Sequence, residues 1–355
     1  MTTRKLQIVE CQGTARQIGQ QWGEGCRGSF RASVEALFRG LAEGPFQASR
    51  AAVVGTAMKL EANVRAFDPE ALELIRGQAE GAAIPYEEAF ALQCMLEVAI
   101  NYQQIGGMCT SFAVTGPATA DGQTLVGQNV DWNPEATVDL IRVRYPDGRS
   151  LLSLCLGCAP YYHLSSEGFA NCSNLTIVAP QPCQSLVPLG VYLPRAMRQP
   201  GLRAAMEVLA GVARGFGAYL LGDAAGRVLG LESTYDDRAV LEPERGVLVH
   251  ANHYQAERLQ ALDVTHHFVP CTHGRAQKLR ELIDADYGRL TPERLMGFLA
   301  DHGNPGGRLC RHDEPVAPGA MPMATKAAVV MAPARRTMWV AAGPACREAF
   351  VEYRV

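Results

Sequence analysis

The chain has 355 residues, 48% of them hydrophobic and 19% charged, with a formal net charge of -3. That size and composition can bury a large core and exclude a disordered chain, while the near-balanced charge implies no basic nucleic-acid surface. No run reaches the roughly 18 to 20 apolar residues of a membrane span, and the opening MTTRKLQIVECQGTARQIG lacks the apolar stretch of a secretory signal, so a cytoplasmic protein is expected.

The first hundred residues read as helices. A short helical run begins between Gly13 and Gly23, with Ile18 and Trp22 four apart, and residues 28–42 and 48–66 keep helical spacing. In FDPEALELIRGQAEGA, Asp68 is placed to cap, Pro69 takes the first helical position and Glu70 the first turn. Pro85 then starts PYEEAFALQCMLEVAI, with Phe90, Cys94 and Met95 on one side.

Past residue 104 strands take over. SFAVTGPAT and TLVGQNV flank Asp121-Gly122, a hairpin signal, and VDLIRVRY and SLLSLCLG flank Pro146-Asp147-Gly148-Arg149. FANCSNLTIV follows, then AYLLGD and RVLGLES around Ala224-Ala225-Gly226. Residues 201–213 and 274–285 return to helical spacing, as does TPERLMGFLADH, with Thr291 as cap and Pro292 at its first position. TKAAVVMAP and TMWVAAG close the chain as a strand pair. Helices first, then strands joined by tight turns, predict an α+β layered fold with mainly antiparallel sheets, in a single domain spanning 1–355.

The chemistry centres on GGMCTSFAV, residues 106–114. Gly106 and Gly107 allow a tight backbone path just before Cys109, and Thr110 and Ser111 make three consecutive side chains that carry sulfur or oxygen. Taken alone, Cys109 reads as a small apolar core residue. The next strand ends in GQNVDW, residues 127–132, with Asn129 and Asp131 on one face, and hairpin pairing returns Asp131 to the neighbourhood of Cys109. The other cysteines are scattered. Cys155 and Cys158 form a C-x-x-C with no second ligand pair, so they read as structural. His250 and His253, the pair His266-His267, His302 and His312 offer no placeable third and fourth ligand, and no metal site is expected.

Seven segments, taken in order and spacing, carry a resemblance. They are GTARQIGQQWG near the start, CTSFAV at 109–114, DGQTLVGQNVDW at 121–132, SSEGFANCSNLT at 165–176, VPLGVYLPRAM at 187–197, HANHY at 250–254 and LADHGNPGGRLCRH at 299–312. Together they resemble the acyl-coenzyme A:isopenicillin N (6-aminopenicillanate) acyltransferase family, the peptidase C45-like group of N-terminal-nucleophile hydrolases. The resemblance implies a four-layer αββα sandwich, made as an inactive precursor that cuts itself at Met108-Cys109. The products are a helical α chain, 1–108, and a β chain, 109–355, which stay associated. Cys109 becomes the nucleophile, with its own freed α-amine as base; such an amine has an ordinary pKa of about 7.7 to 8.0.

The resemblance also assigns supporting roles. Asn252 of HANHY is the side-chain donor to the oxyanion. Asp131 orients the new α-amine or assists self-cleavage. Thr110 contributes contacts beside the nucleophile, Asn129 supports the strand end, Arg311 matches an arginine near the site, and Glu232 matches a recurrent acid. The implied substrate is a small acyl-amide, whose acyl group passes through a thioester to water or an amine. No cofactor is implied beyond acyl-coenzyme A as a candidate acyl donor, and no nucleic-acid or membrane partner.

Two departures stand out. Met108 occupies a position where the family shows glycine, and GFGAY at 215–219 lacks the polar Ser, His or Asn expected before YLLGD. The acceptor is therefore expected to differ from isopenicillin N. Met108 also favours the alternative of a non-catalytic relative that binds a small molecule.

Overall fold

The computed structural model describes residues 2–102, 107–179, 187–212, 217–303, 306–313 and 322–355. The chain enters through a strand, β1 (Ile8–Gln12), which corrects the all-helical expectation for the first hundred residues. Only Cys11 of IVECQ is buried, so no apolar alternation announces the strand. Parallel pairing with the distant segment Val138–Arg144 fixes it instead.

Helices follow: α1 (Ala15–Gly25), α2 (Arg27–Glu43), α3 (Arg50–Met58), α4 (Glu61–Phe67), α5 (Pro69–Ala82), α6 (Tyr86–Gln93) and α7 (Met95–Asn101). A capping box opens α1: Thr14 Oγ1 accepts from the Gln17 N–H, and the Gln17 side chain accepts from the Thr14 N–H. α5 starts at Pro69 as expected, but Asp68 makes no capping bond. Its buried carboxylate takes Arg198 at 2.6 Å. The helix expected from Pro85 breaks at Cys94, whose φ of -102° and ψ of 12° leave the helical region.

The strands are β2 (Met108–Val114), β3 (Leu125–Trp132), β4 (Val138–Arg144), β5 (Ser150–Leu156), β6 (Ala159–Ser165) and β7 (Phe169–Asn174). After α8 (Leu189–Met197) and α9 (Leu202–Gly211) come β8 (Gly217–Asp223), β9 (Val228–Ser233), β10 (Arg238–Leu241) and β11 (Val247–His250). The short α10 (Glu257–Gln260), then α11 (Thr272–Ala285) and α12 (Pro292–Leu299), lead to β12 (Ala324–Ala332), β13 (Thr337–Ala341) and β14 (Val351–Arg354). Thr291 caps α12 as expected, accepting from the Arg294 N–H.

One sheet runs β1-β4-β5-β6-β7-β8-β9-β10 and the other β11-β2-β3-β12-β13-β14. Beyond the parallel β1–β4 pair, the paired strands are antiparallel. Strand alternation sorts side chains between two cores. Phe112, Val114, Leu125, Ala328 and Val330 pack outward under Leu279, Ile283, Leu295 and Leu299 of α11 and α12. Ala113, Val126, Val130 and Val329 belong to the other core, which fills the space between the sheets and reaches the helices covering the larger one. The result is an αββα sandwich of α+β class. No helix among the described residues is long and apolar enough to cross a membrane.

Candidate active site

Cys109 lies near the start of β2, where Met108 pairs with Asp131 and Cys109 with Val130 of β3. Gly107 sets the approach. Its φ is +129°, and a Cβ there would stand 2.1 Å from Trp132 Cζ3, so only glycine fits. Gly106 lies outside the described residues, as do Gly215 and Phe216 of GFGAY.

Alternation along β2 sends the Cys109 thiol into the space between the sheets and Thr110 to the opposite face, toward α11. The thiol lies 4.0 Å from the Tyr162 hydroxyl. An apolar cavity opens over it, walled by Leu96, Trp132, Leu156, Tyr161 and Tyr219. Burial, then the charge of Asp131, push the thiol up to about 12 against the lowering influence of Arg275, a backbone hydrogen bond at Asp131 and Tyr162. It is a neutral thiol until a base removes its proton.

The backbone nitrogen of Cys109 is held by a side chain. β11 pairs with β2 only as far as His250 opposite Ser111. Two residues on, Asn252 replaces the missing ladder: its Oδ1 accepts from the Cys109 N–H at 3.0 Å. Asn252 is completely buried, and its Nδ2 donates to the Leu175 carbonyl at 2.8 Å. With donors at one end and a carbonyl at the other, the amide has one satisfactory orientation.

Arg275 binds the same cluster from α11. Its Nη1 donates to the Cys109 carbonyl oxygen and to Thr110 Oγ1, each at 2.6 Å, and its Nη2 to Asn252 Oδ1 at 2.6 Å. No part of Arg275 is exposed. The sequence reading missed it. The available signal was its place in a buried stripe of α11 with Thr272, Leu279 and Ile283, where a charged residue needs specific partners.

Asp131 shares the α11-facing side with Thr110 and Asn129. Its Oδ1 accepts from Thr325 Oγ1 at 2.6 Å. Burial holds its carboxyl above the ordinary value, partly offset by Arg275, Thr325 and Arg311. The side chain thus lies on the opposite face of the sheet from the thiol. Asn129 donates from Nδ2 to the carbonyls of Leu299 and Leu309, at 2.7 and 2.8 Å, and so ties the end of α12 to its following loop.

Arg311 reaches Cys271 rather than a carboxylate: its Nη1 lies 3.3 Å from Cys271 Sγ, and Arg275 Nε lies 3.4 Å from the same sulfur. Burial raises the Cys271 pKa, but the two guanidiniums outweigh it and leave the thiol below its ordinary value. Met108 Sδ is 3.8 Å away. Cys271, like Arg275, had not been singled out from the sequence.

Glu232 stands behind Asn252. It is fully buried, with Oε1 2.8 Å from His250 Nε2, and it accepts from the backbone N–H groups of Gln255 and Ala256. Burial raises its pKa, but these hydrogen bonds and the His250 charge leave it lowered. Glu232 therefore braces the loop that presents Asn252. Cys155 and Cys158 are free and buried, and burial pushes both thiols well up, as expected of structural cysteines. The expectation of no metal site is reopened at His302 and His312. His302, Cys310 and His312 fall within eleven residues of one another, and the fold adds Cys346, 34 residues beyond His312.

Two solved structures of the conjugated bile acid hydrolase from Clostridium perfringens are similar to this chain at 12% sequence identity and a TM-score of 0.48, over 70% of this chain and 97% of theirs. The penicillin V acylase from Agrobacterium tumefaciens is similar at 12% identity and a TM-score of 0.44, over 66% of this chain and 83% of its own. No family model and no curated protein matches the chain.

Proposed function

We propose that this protein is a self-processing N-terminal-cysteine amidohydrolase or acyltransferase, a relative of the peptidase C45-like acyltransferases that its sequence resembles. The observation that carries the reading is the bond from the Cys109 N–H to Asn252 Oδ1, beside a thiol facing an apolar cavity. A side chain gripping that nitrogen is what a nascent α-amine needs.

Maturation begins with attack of Cys109 Sγ on the Met108 carbonyl carbon. The Met108–Cys109 C–N bond breaks as the nitrogen takes a proton, leaving a thioester between Met108 and the sulfur. Water hydrolyses it to a Met108 carboxylate and a free Cys109 thiol. Arg275 holds the next peptide's carbonyl, that of Cys109, and the Asn252 side chain that grips the Cys109 nitrogen, and Asp131 lies opposite Met108 on β3. The new amine, ordinarily of pKa about 7.7 to 8.0, then removes the proton from a thiol that burial otherwise keeps neutral.

In turnover the thiolate attacks an amide carbonyl whose acyl portion lies in the cavity of Trp132, Tyr161 and Tyr219. Asn252 Nδ2 has one proton engaged by Leu175 and a second left for the oxyanion. The amine departs with a proton, and water or an acceptor amine releases the acyl group. The lining favours an apolar acyl group. A cytoplasmic location and freedom from cofactors belong to the same reading.

The test is a panel of N-acyl amides with apolar acyl groups, read as amine release by purified wild-type protein and by Cys109→Ala. Release by the wild type and loss of at least about a hundredfold in the variant is the expected result. Equal release by both would overturn the assignment of Cys109.

A further inference from the structure

We propose that His302, Cys310, His312 and Cys346 form a structural zinc site that fixes the loop carrying Arg311. Each side chain offers one ligand atom, and the four atoms all lie within 4.8 Å of one another. The two imidazoles meet Nε2 to Nε2 at 3.0 Å, the two thiols Sγ to Sγ at 3.6 Å, and His312 Nε2 lies 3.3 Å from Cys346 Sγ.

These three spacings come within about 0.3 Å of a tetrahedron's edges, and the remaining ligand pairs lie within 4.8 Å. With zinc–sulfur bonds of about 2.3 Å and zinc–nitrogen bonds of about 2.0 to 2.1 Å, the edges are roughly 3.8 Å between sulfurs, 3.6 Å between sulfur and nitrogen, and 3.3 Å between nitrogens. A single hydrogen bond between the rings would account for one of the contacts. It would not also turn His312 Nε2 to a thiol, nor bring the thiols together behind it. Two thiolates and two neutral imidazoles match a borderline-soft divalent ion, and loading releases the two thiol protons to water. All four positions are filled by protein, so no place remains for a reactive water. That is the mark of a structural site.

The location gives the ion a purpose. His302, Cys310 and His312 follow α12 and themselves belong to no helix or strand, whereas Cys346 lies beyond the β12–β13 hairpin. The ion would staple these segments. Hydrogen bonds also tie this loop: Leu309 and Cys310 N–H groups donate to the Asp301 carbonyl, the Leu309 carbonyl accepts from Asn129, and Arg311 and Thr325 exchange two bonds, Arg311 N–H to Thr325 Oγ1 and Thr325 N–H to the Arg311 carbonyl. Arg311 stands directly between two ligands. Its guanidinium meets Cys271, and Thr325 in turn donates to Asp131. Coordination at Cys310 and His312 would fix where Arg311 puts its charge. The ion is thus remote from the reacting atoms and acts by positioning.

The site is tested on untagged, full-length protein purified under reducing conditions from zinc-supplemented culture. Elemental analysis should find about one zinc per chain, falling to near zero in His302→Ala and Cys346→Ser. His302 is exposed, so its loss leaves the core intact. Wild-type protein stripped with a chelator and loaded with Co(II) should show the strong visible bands of tetrahedral coordination with thiolate charge transfer. The proposal is overturned if the reduced wild type takes up neither Zn(II) nor Co(II), or if both variants keep the full complement. It is equally overturned if thiol counting of freshly purified protein shows Cys310 and Cys346 joined as a disulfide and the reduced pair still binds no metal. None of these readouts depends on amide turnover, so the site and the proposed reaction fail separately.

Discussion

At the scale of single residues, Arg275 concentrates the energetics of the site. A fully buried guanidinium is costly to desolvate, and this one is compensated by three oxygen acceptors and by the nearby charge of Asp131. Its planar fork spans a strand carbonyl, a hydroxyl and an amide at once, which an ammonium cannot do. Arg275→Lys should therefore slow self-cleavage by about a hundredfold, measured as the conversion of freshly translated chain over time. Cleavage at the wild-type rate would show that the fork is scaffolding only. Hairpin pairing alone brought Asp131 toward Cys109, whereas Cys109 as nucleophile and the roles of Thr110 and Asn252 came only from the family resemblance. Arg275 was not legible: its partners Cys109 and Asn252 lie 166 and 23 residues away, and nothing within THGRAQKLRELI names them. A separation of 40 residues likewise hid the convergence of Arg311 on Cys271.

At the scale of elements, the tightest joint is that of α1 with α5. A Cβ on Gly19 would stand 2.0 Å from the Leu74 carbonyl oxygen, and one on Gly23 2.3 Å from that of Gln78. Gly77 and Gly81 return the contact, each 2.1 Å from the carbonyl oxygens of Arg16 and Gln20. Two pairs of glycines, four residues apart, thus let two backbones touch. Gly77→Ala should cost about 1 to 3 kcal/mol by forcing the helices apart. Gly55→Ala, in open space on α3, should gain up to about 1 kcal/mol from helix propensity. Urea unfolding of the two variants would check the opposite signs, and a stabilised Gly77→Ala would refute the packing account. Hairpins and caps with local chemistry were readable in the sequence, as at Asp121-Gly122 and Thr291. β1, β6, β10, β11, β14 and α8 were not, because pairing or packing against distant segments decides them. The break at Cys94 belongs with these, since helical spacing continues through it.

At the scale of the whole molecule, the sandwich separates the two halves of the proposed chemistry. One face of β2 and β3 turns the thiol toward an apolar cavity, and the other turns Asp131, Thr110 and Asn129 toward α11 and α12. The backbone at Cys109 is where the two sides meet. The layered class was legible from the succession of helices and antiparallel hairpins, and the resemblance added the order of layers. The interlock of the two proposed chains was not legible. β1 lies on β4, and the Tyr353 hydroxyl donates to the Leu6 carbonyl at 3.2 Å while accepting from the Leu6 N–H at 2.8 Å. A cut at Met108-Cys109 would leave both pieces in one body.

The most direct measurement is the intact mass of the purified protein under denaturing conditions, beside its Cys109→Ala variant. The account predicts two fragments in the wild type, one ending at Met108 and one beginning at Cys109, and a single uncut chain in the variant. A wild-type chain that stays whole, or a variant that is cut at the same bond, would contradict it.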